Sequence, residues 1–252
     1  MNILITNDDG IDSIGLRTLA RKFSEIGDVY VVAPEGERSS NSHCLNIKGK
    51  IRYEERIIPQ VKKAYALWGT PADCAHMGIR VLVEEKIDLL VSGINRGRNV
   101  STDIIYSGTI GAAREAFIDG IPAMALSLNS FTSDEYEAAA DYGLRIAMAY
   151  LESENRKDYF LNVNVPAIPE EQIKGIMVCD RVGDVFYNDD YSLIEEEGIS
   201  YIRIENNNMA FDMKDYDLCI DYCALDAGYV SVSPLKNDHI DLEHVKDVEG
   251  LL

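Results

Sequence analysis

The sequence predicts an α/β fold: a doubly wound, mostly parallel sheet of Rossmann type with a C-terminal antiparallel extension. Three observations predict it. Five apolar runs of strand length carry no polar alternation, as strands buried on both faces do. Segments with apolar residues at helical spacing separate them. Beyond Pro166 the pattern changes to β-rich pieces joined by acidic links.

In order, NILIT (2–6) is the first strand, and GLRTLARKFSEIG (15–27) is a helix with Leu16, Leu19, Ala20, Phe23 and Ile26 on one face and Gly27 as its stop. DVYVVAP (28–34) is the second strand, closed by Pro34, and 35–68 is less regular. TPADCAHMGIRVLVEE (70–85) starts with Thr70 as N-cap and Pro71 at the first helical position. KIDLLVSG (86–93), IPAMALSL (121–128) and YFLNVNVP (159–166) are strands; GTIGAAREAFIDG (108–120) and the Ser/Asp-led stretch 133–154 are helices. Strands are expected at 173–180, 184–193, 199–205 and 228–235, and a short helix near 240–248. With no repeats and no low-complexity linker, residues 1–252 form one unit, an α/β core (1–166) followed by a β-rich extension (167–252).

At 252 residues the chain can bury a sizeable core, and acidic residues outnumber basic ones 43 to 24, for a formal net charge of −19. That balance argues against DNA or RNA polymers as partners, because their backbone requires clustered Lys and Arg. A small anion is still admissible, since one bound cation reverses the local sign. No apolar run approaches the roughly 20 residues of a membrane span, and the N-terminus does not read as a signal peptide. The five cysteines form no CxxC pair, so they are expected to be reduced, mostly buried thiols of a cytoplasmic protein.

Ligands of open parallel sheets bind beyond the carboxyl ends of the strands. The loops that follow the first three predicted strands are TNDDG, APEGERSSNSH and SGINRGRNVSTDIIYSGT, all rich in oxygen donors and Gly. Asp8 and Asp9 are adjacent like charges, which a fold has little structural reason to juxtapose unless a cation sits there. With the hydroxyl of Ser39 and the amide oxygen of Asn95 they make an all-oxygen set suited to Mg²⁺ or Mn²⁺. The plainer alternative is that Asp8 caps a turn and Asp9 is solvated. Ser107, Gly108 and Thr109 open a helix, whose free N–H groups suit a phosphate or simply mark an N-cap. Arg96 and Arg98 either hold a phosphate or are surface charges. His43, in the second polar loop, is placed to assist proton transfer, and His76 belongs to a helix face.

NDDG, APEGERSSNS, GTPADC, VSGINRGRN, YSGT, NVNVP and GYVSVSPL stand in the order and spacing of the SurE family, which the chain resembles from residue 1 to about 235. The resemblance implies a metal-dependent phosphatase acting on nucleoside 5′- and 3′-monophosphates, with some action on short polyphosphate. It implies one divalent ion per subunit, held by Asp8, Asp9, Ser39 and Asn95, and a phosphate loop at Ser107, Gly108 and Thr109. It also implies a dimerisation hairpin and a homodimer or homotetramer. Two departures bear on substrate preference: Glu35-Gly36 follows Ala-Pro where the family commonly has Asp-Arg or Asp-Lys, and DRVGDVFYNDD keeps only Arg181 as a base.

The expected mechanism is in-line attack of water on phosphorus, with one of the two aspartates taking the proton. Which one stays open. A receiver domain fails for want of its Lys, a dinucleotide binder for want of G-x-G-x-x-G after the first strand, and a D-x-D phosphatase because the acids are adjacent. A non-catalytic metal- or nucleotide-binding module is the alternative from another class.

Overall fold

A computed structural model of the chain describes residues 1–183, 185–211 and 216–237. The helix expected near 240–248 lies outside them. Among the described residues nine strands form one sheet, and two form a separate antiparallel ladder. The strands are β1 (Asn2–Thr6), β2 (Asp28–Pro34), β3 (Tyr53–Arg56), β4 (Lys63–Leu67), β5 (Leu89–Arg96), β6 (Ala123–Asn129), β7 (Phe160–Pro166), β8 (Ile176–Val178), β9 (Val185–Glu196), β10 (Ile199–Phe211) and β11 (Val230–Leu235). The large sheet runs β3-β4-β2-β1-β5-β6-β7-β11-β8, and β4 through β7 in that order are mutually parallel. The helices are α1 (Ile14–Phe23), α2 (Pro71–Met77), α3 (Asp103–Tyr106), α4 (Gly108–Ile118), α5 (Glu137–Glu152) and α6 (Asp221–Asp226).

Alternate residues of each central strand feed opposite faces. Ile3, Ile5, Val29, Val31, Val91 and Leu126 pack with α1 (Leu16, Leu19, Phe23) and α5 (Ala140, Ile146). Leu4, Tyr30, Val32, Leu90 and Ala125 pack with α2 (Cys74, Ala75) and α4 (Ile110, Ala113, Ala116). Both faces are therefore covered, which is why these strands read as continuous apolar runs. The chain order reverses direction across the sheet between β1 and β5, and at such a switch the strand ends leave a crevice.

The structure shifts several boundaries. α1 ends at Phe23, because Ser24 caps it through its N–H to Ala20 O and Lys22 O. Gly27 instead permits a close approach: a Cβ there would lie 2.4 Å from Met1 O. α5 starts at Glu137, since Ser133 spends its hydroxyl on the N–H of Glu135 and Asp134 pairs with Arg96. The segment 35–68 contains β3 and β4, whose small and charged residues (YEER, KAYAL) carry little apolar signal at the sheet margin. β11 does not join an outer extension: it pairs antiparallel with β7 and parallel with β8 inside the main sheet. A division at residue 166 thus runs through the sheet, and among the described residues only β9 and β10 stand apart. Among the described residues no helix is long and apolar enough to cross a membrane. Of the five free cysteines, Cys74, Cys179 and Cys223 are buried, Cys219 is half-buried and Cys44 is exposed.

Candidate functional site

Three loops meet at the carboxyl ends of β1, β2 and β5. Asn7 shapes the first: its Oδ1 accepts the N–H of Gly10 and its Nδ2 donates to Gly10 O and Ser13 Oγ. Gly10 has φ +100°, and a Cβ on it would lie 3.1 Å from the Gly36 backbone, so this turn requires glycine. The result is that Asp8 and Asp9 project from a rigid corner.

Asp8 is only 6% exposed. Its Oδ1 accepts the Thr109 hydroxyl, and its Oδ2 accepts the Thr109 N–H at 3.2 Å. Burial pushes its carboxyl up to about 6; the Thr109 bond opposes the rise and the charge of Asp9 adds to it. Asp9 is half-buried and accepts the Arg96 N–H on Oδ2 at 3.0 Å. Burial raises its pKa as well, against that bond.

The second loop is tied to the first by the Arg38 N–H, 2.7 Å from the backbone oxygen of Asp8. The adjacent Ser39 is exposed and donates its hydroxyl to Glu37 Oε1 at 2.7 Å. Asn95 donates Nδ2 to Gly97 O at 2.7 Å, which leaves Oδ1 as the atom it offers a cation. The four predicted ligands therefore share one edge. Among the described residues no group of three or more His, Cys, Asp and Glu is arranged to hold a metal, so the set depends on neutral oxygens from Ser39 and Asn95. Two desolvated acids with neutral oxygen neighbours fit a hard divalent cation.

Other predicted residues play different parts. Ser107 caps α4, accepting the Ile110 N–H at 3.1 Å. Thr109 serves Asp8 with both its donors rather than facing an anion. Gly108 packs so closely that a Cβ would meet Asp8 Oδ2 at 3.2 Å and Pro71 Cγ at 2.9 Å. Arg96 contributes its backbone to Asp9, while its guanidinium pairs with Asp134 at 2.5 Å. Arg98 lies 3.5 Å from Asp226.

His43 points away from the aspartates. Its Nε2 sits 2.7 Å from Glu115 Oε2, and His76 Nδ1 sits 2.7 Å from Glu115 Oε1. Glu115 is 5% exposed, and its two histidine bonds hold its pKa down against burial, the His43 bond most strongly. This bridge joins the second loop, α2 and α4 across 72 and 39 residues of sequence, a separation that leaves no local signal. Glu115→Ala removes the shared acceptor and is expected to cost about 1–3 kcal/mol in urea unfolding. A loss below the error of extrapolation would mean the histidines find other partners.

The NVNVP motif also acquires a role. Buried Asn162 and Asn164 donate to Asn99 O at 2.8 and 3.1 Å, and Asn164 Oδ1 accepts the Asn99 N–H at 2.7 Å. Asn99 Nδ2 in turn donates to Ser127 Oγ at 2.9 Å. These bonds pin the loop after β5 to β6 and β7, and nothing in the periodicity announces them.

Residues 3–188 match the family model described as Survival protein SurE. The chain belongs to the SurE family. It is 41% identical, over all of its length and 99% of the relative's, to a protein of Clostridium botulinum named 5′-nucleotidase SurE. A protein of Clostridium beijerinckii with the same name is 40% identical, with 98% of each chain covered. The solved structure of the SurE protein from Aquifex aeolicus superposes with a TM-score of 0.83 at 34% identity, covering 100% of this chain and 99% of that one. In this SurE-family chain the departures noted above have local partners, one beside β4 and the other beyond the edge strand β8. The Glu35 N–H bonds Leu67 O at 2.8 Å, and Arg181 pairs with Asp217 and Asp180.

Proposed function

We propose that the chain is a divalent-cation-dependent phosphomonoesterase that hydrolyses nucleoside 5′- and 3′-monophosphates to nucleoside and phosphate, with weak action on short polyphosphate. The observation that carries it is the corner at β1: two adjacent carboxylates, both with raised proton affinity, on the edge shared with Ser39, Asn95 and the start of α4. The names of the relatives point to the same chemistry.

Asp8, Asp9, Ser39 Oγ and Asn95 Oδ1 would hold one Mg²⁺ or Mn²⁺ per subunit. When bound, such an ion neutralises phosphoryl oxygens and lowers the pKa of water. Thr109 fixes both oxygens of Asp8, so Asp8 serves as the rigid anchor. Asp9 has one oxygen on the Arg96 N–H and keeps the other for the proton released in the attack. The positive end of α4 favours phosphate nearby. The protein acts in the cytoplasm as a homodimer or homotetramer, with the β9–β10 ladder as the subunit contact. Leu193, Ile202 and Ile204 on that ladder are exposed, an apolar surface consistent with a covering partner.

Colorimetric phosphate release from a panel of nucleoside monophosphates tests the proposal. Turnover is expected with Mn²⁺ or Mg²⁺, lost with EDTA and restored by excess metal. Chelator-insensitive release would remove the cation from the mechanism. Nucleotide binding without release would favour a non-catalytic module.

A further inference from the structure

β2 ends at Pro34 and β3 begins at Tyr53, so the loop that carries Ser39 has no ladder of its own. Ser39 is exposed, and packing does not fix it. Two residues close by, Ser40 (φ 58°) and Ser42 (φ 52°), stand in the left-handed region that side chains avoid. Such a path persists where the surrounding structure ties the loop down. On the near side the tie is the Arg38 N–H on the backbone oxygen of Asp8. We infer that on the far side it is the His43–Glu115–His76 bridge, a latch that sets Ser39 against Asp8 and Asp9 for the cation, with His43 and Glu115 as positioning residues. The inference rests on the nucleotidase reading of the β1 corner and makes that corner depend on groups outside it.

α4 is the common frame. Gly108, Gly111 and Glu115 fall at i, i+3 and i+7, on one face of the helix. Gly108 lies against Asp8, where a Cβ would come within 3.2 Å of Oδ2. Gly111 lies under the loop, where a Cβ would meet Ser42 O at 2.4 Å and the His43 Cα at 3.0 Å. Glu115 then accepts His43 Nε2 at 2.7 Å. Thr109 of the same helix holds both oxygens of Asp8. One rigid element therefore fixes Asp8 and the loop of Ser39 together.

His76 braces the latch. It holds the other oxygen of Glu115, so the carboxylate cannot turn away from His43. The His43 bond is the foremost cause that keeps Glu115 ionised, and bonds to an ionised acceptor are the stronger kind. Ser42 also donates its N–H to Tyr106 O at 2.8 Å and its hydroxyl to Ile105 O at 2.7 Å. Those acceptors belong to α3, a four-residue turn with both side chains exposed, whereas Glu115 is buried in the body of α4.

Mn²⁺ titration calorimetry on the whole chain tests the latch. His43→Ala is expected to weaken Mn²⁺ binding by about tenfold, the scale of groups that orient metal ligands. His43→Gln, whose amide nitrogen takes the place of Nε2 and still donates to Glu115, should restore most of the affinity. His76→Ala removes only the brace and should give a smaller shift of the same kind. The Mn²⁺ activation curve for phosphate release should move by the same factor, with the rate at saturating Mn²⁺ largely retained. In EDTA, the amides of residues 39–43 should exchange faster in His43→Ala than in the wild type. An alanine variant whose loop loosens while its Mn²⁺ affinity matches the wild type overturns the latch and leaves the nucleotidase reading standing. A low rate at saturating Mn²⁺ in both His43 variants also overturns it, because the imidazole would then serve the chemistry itself. A wild-type protein that binds no Mn²⁺ overturns the nucleotidase reading, and the latch with it.

Discussion

Asp8→Asn is expected to abolish nearly all cation-dependent phosphate release and, in the absence of cation, to raise the melting temperature at neutral pH. The first effect follows from loss of one of only two formal negative charges in the ligand set. Each 1.36 kcal/mol of lost barrier stabilisation is about tenfold in rate, so several kcal/mol amounts to a loss of about a thousandfold or more. The second follows from the carboxyl's own energetics. Folded Asp8 titrates at about 6 against an ordinary 3.8, because burial penalises its charge. The folded state therefore binds the proton more tightly than the unfolded chain does. Stability contributed by this group falls as pH rises from about 4 to about 6, and the whole cost, about 3 kcal/mol at most, is present above that window. Asparagine carries no such penalty and still pairs with Thr109, its oxygen accepting the N–H and its amide donating to a rotated hydroxyl. The stability difference between variant and wild type should vanish below about pH 4. Mn²⁺ should raise the wild-type melting temperature and leave Asp8→Asn unmoved. Retained turnover, or a variant less stable than the wild type in EDTA at pH 7.5, would defeat this account of the corner.

Asp73→Ala is expected to cost roughly 2–3 kcal/mol of stability, since it removes a buried charged acceptor at a helix start. Asp73 is fully buried at the start of α2. It accepts the Thr70 N–H at 2.9 Å, completing the capping box, and two donors of Asn46. Removing the carboxylate strands the buried Thr70 N–H, at a cost of about 1–3 kcal/mol, while the donors of exposed Asn46 turn to water. Asp73→Asn keeps one acceptor and should lose about half as much. Urea midpoints at constant m-value measure both. A loss under 1 kcal/mol for the alanine variant would show that water replaces the carboxylate.

Asp73 also illustrates how far local sequence reaches. Thr70-Pro71-Ala72-Asp73 announces a helix start, because N-cap, first-turn proline and acid at the third position are all local features. That the same carboxylate grips Asn46, 27 residues upstream, is not announced. His43 and His76 differ in the same way: each is visible as a residue in a loop or on a helix, and only Glu115 makes them a unit. β3 and β4 escaped notice because KAYAL buries alanines rather than branched residues, although β4 pairs directly with β2 in the main sheet.

From the sequence alone came the alternation of strands and helices and the strand end at which Asp8 and Asp9 sit. Both are short-range consequences of burying apolar runs on two faces of a parallel sheet. Only the tertiary structure decided that β11 enters the main sheet beside β7, that Thr109 is spent on Asp8, and that Arg96 serves through its backbone. Each of those depends on which distant groups meet once the chain is packed. The buried hydrogen bond that rewards such a meeting has no period and no spacing in the sequence.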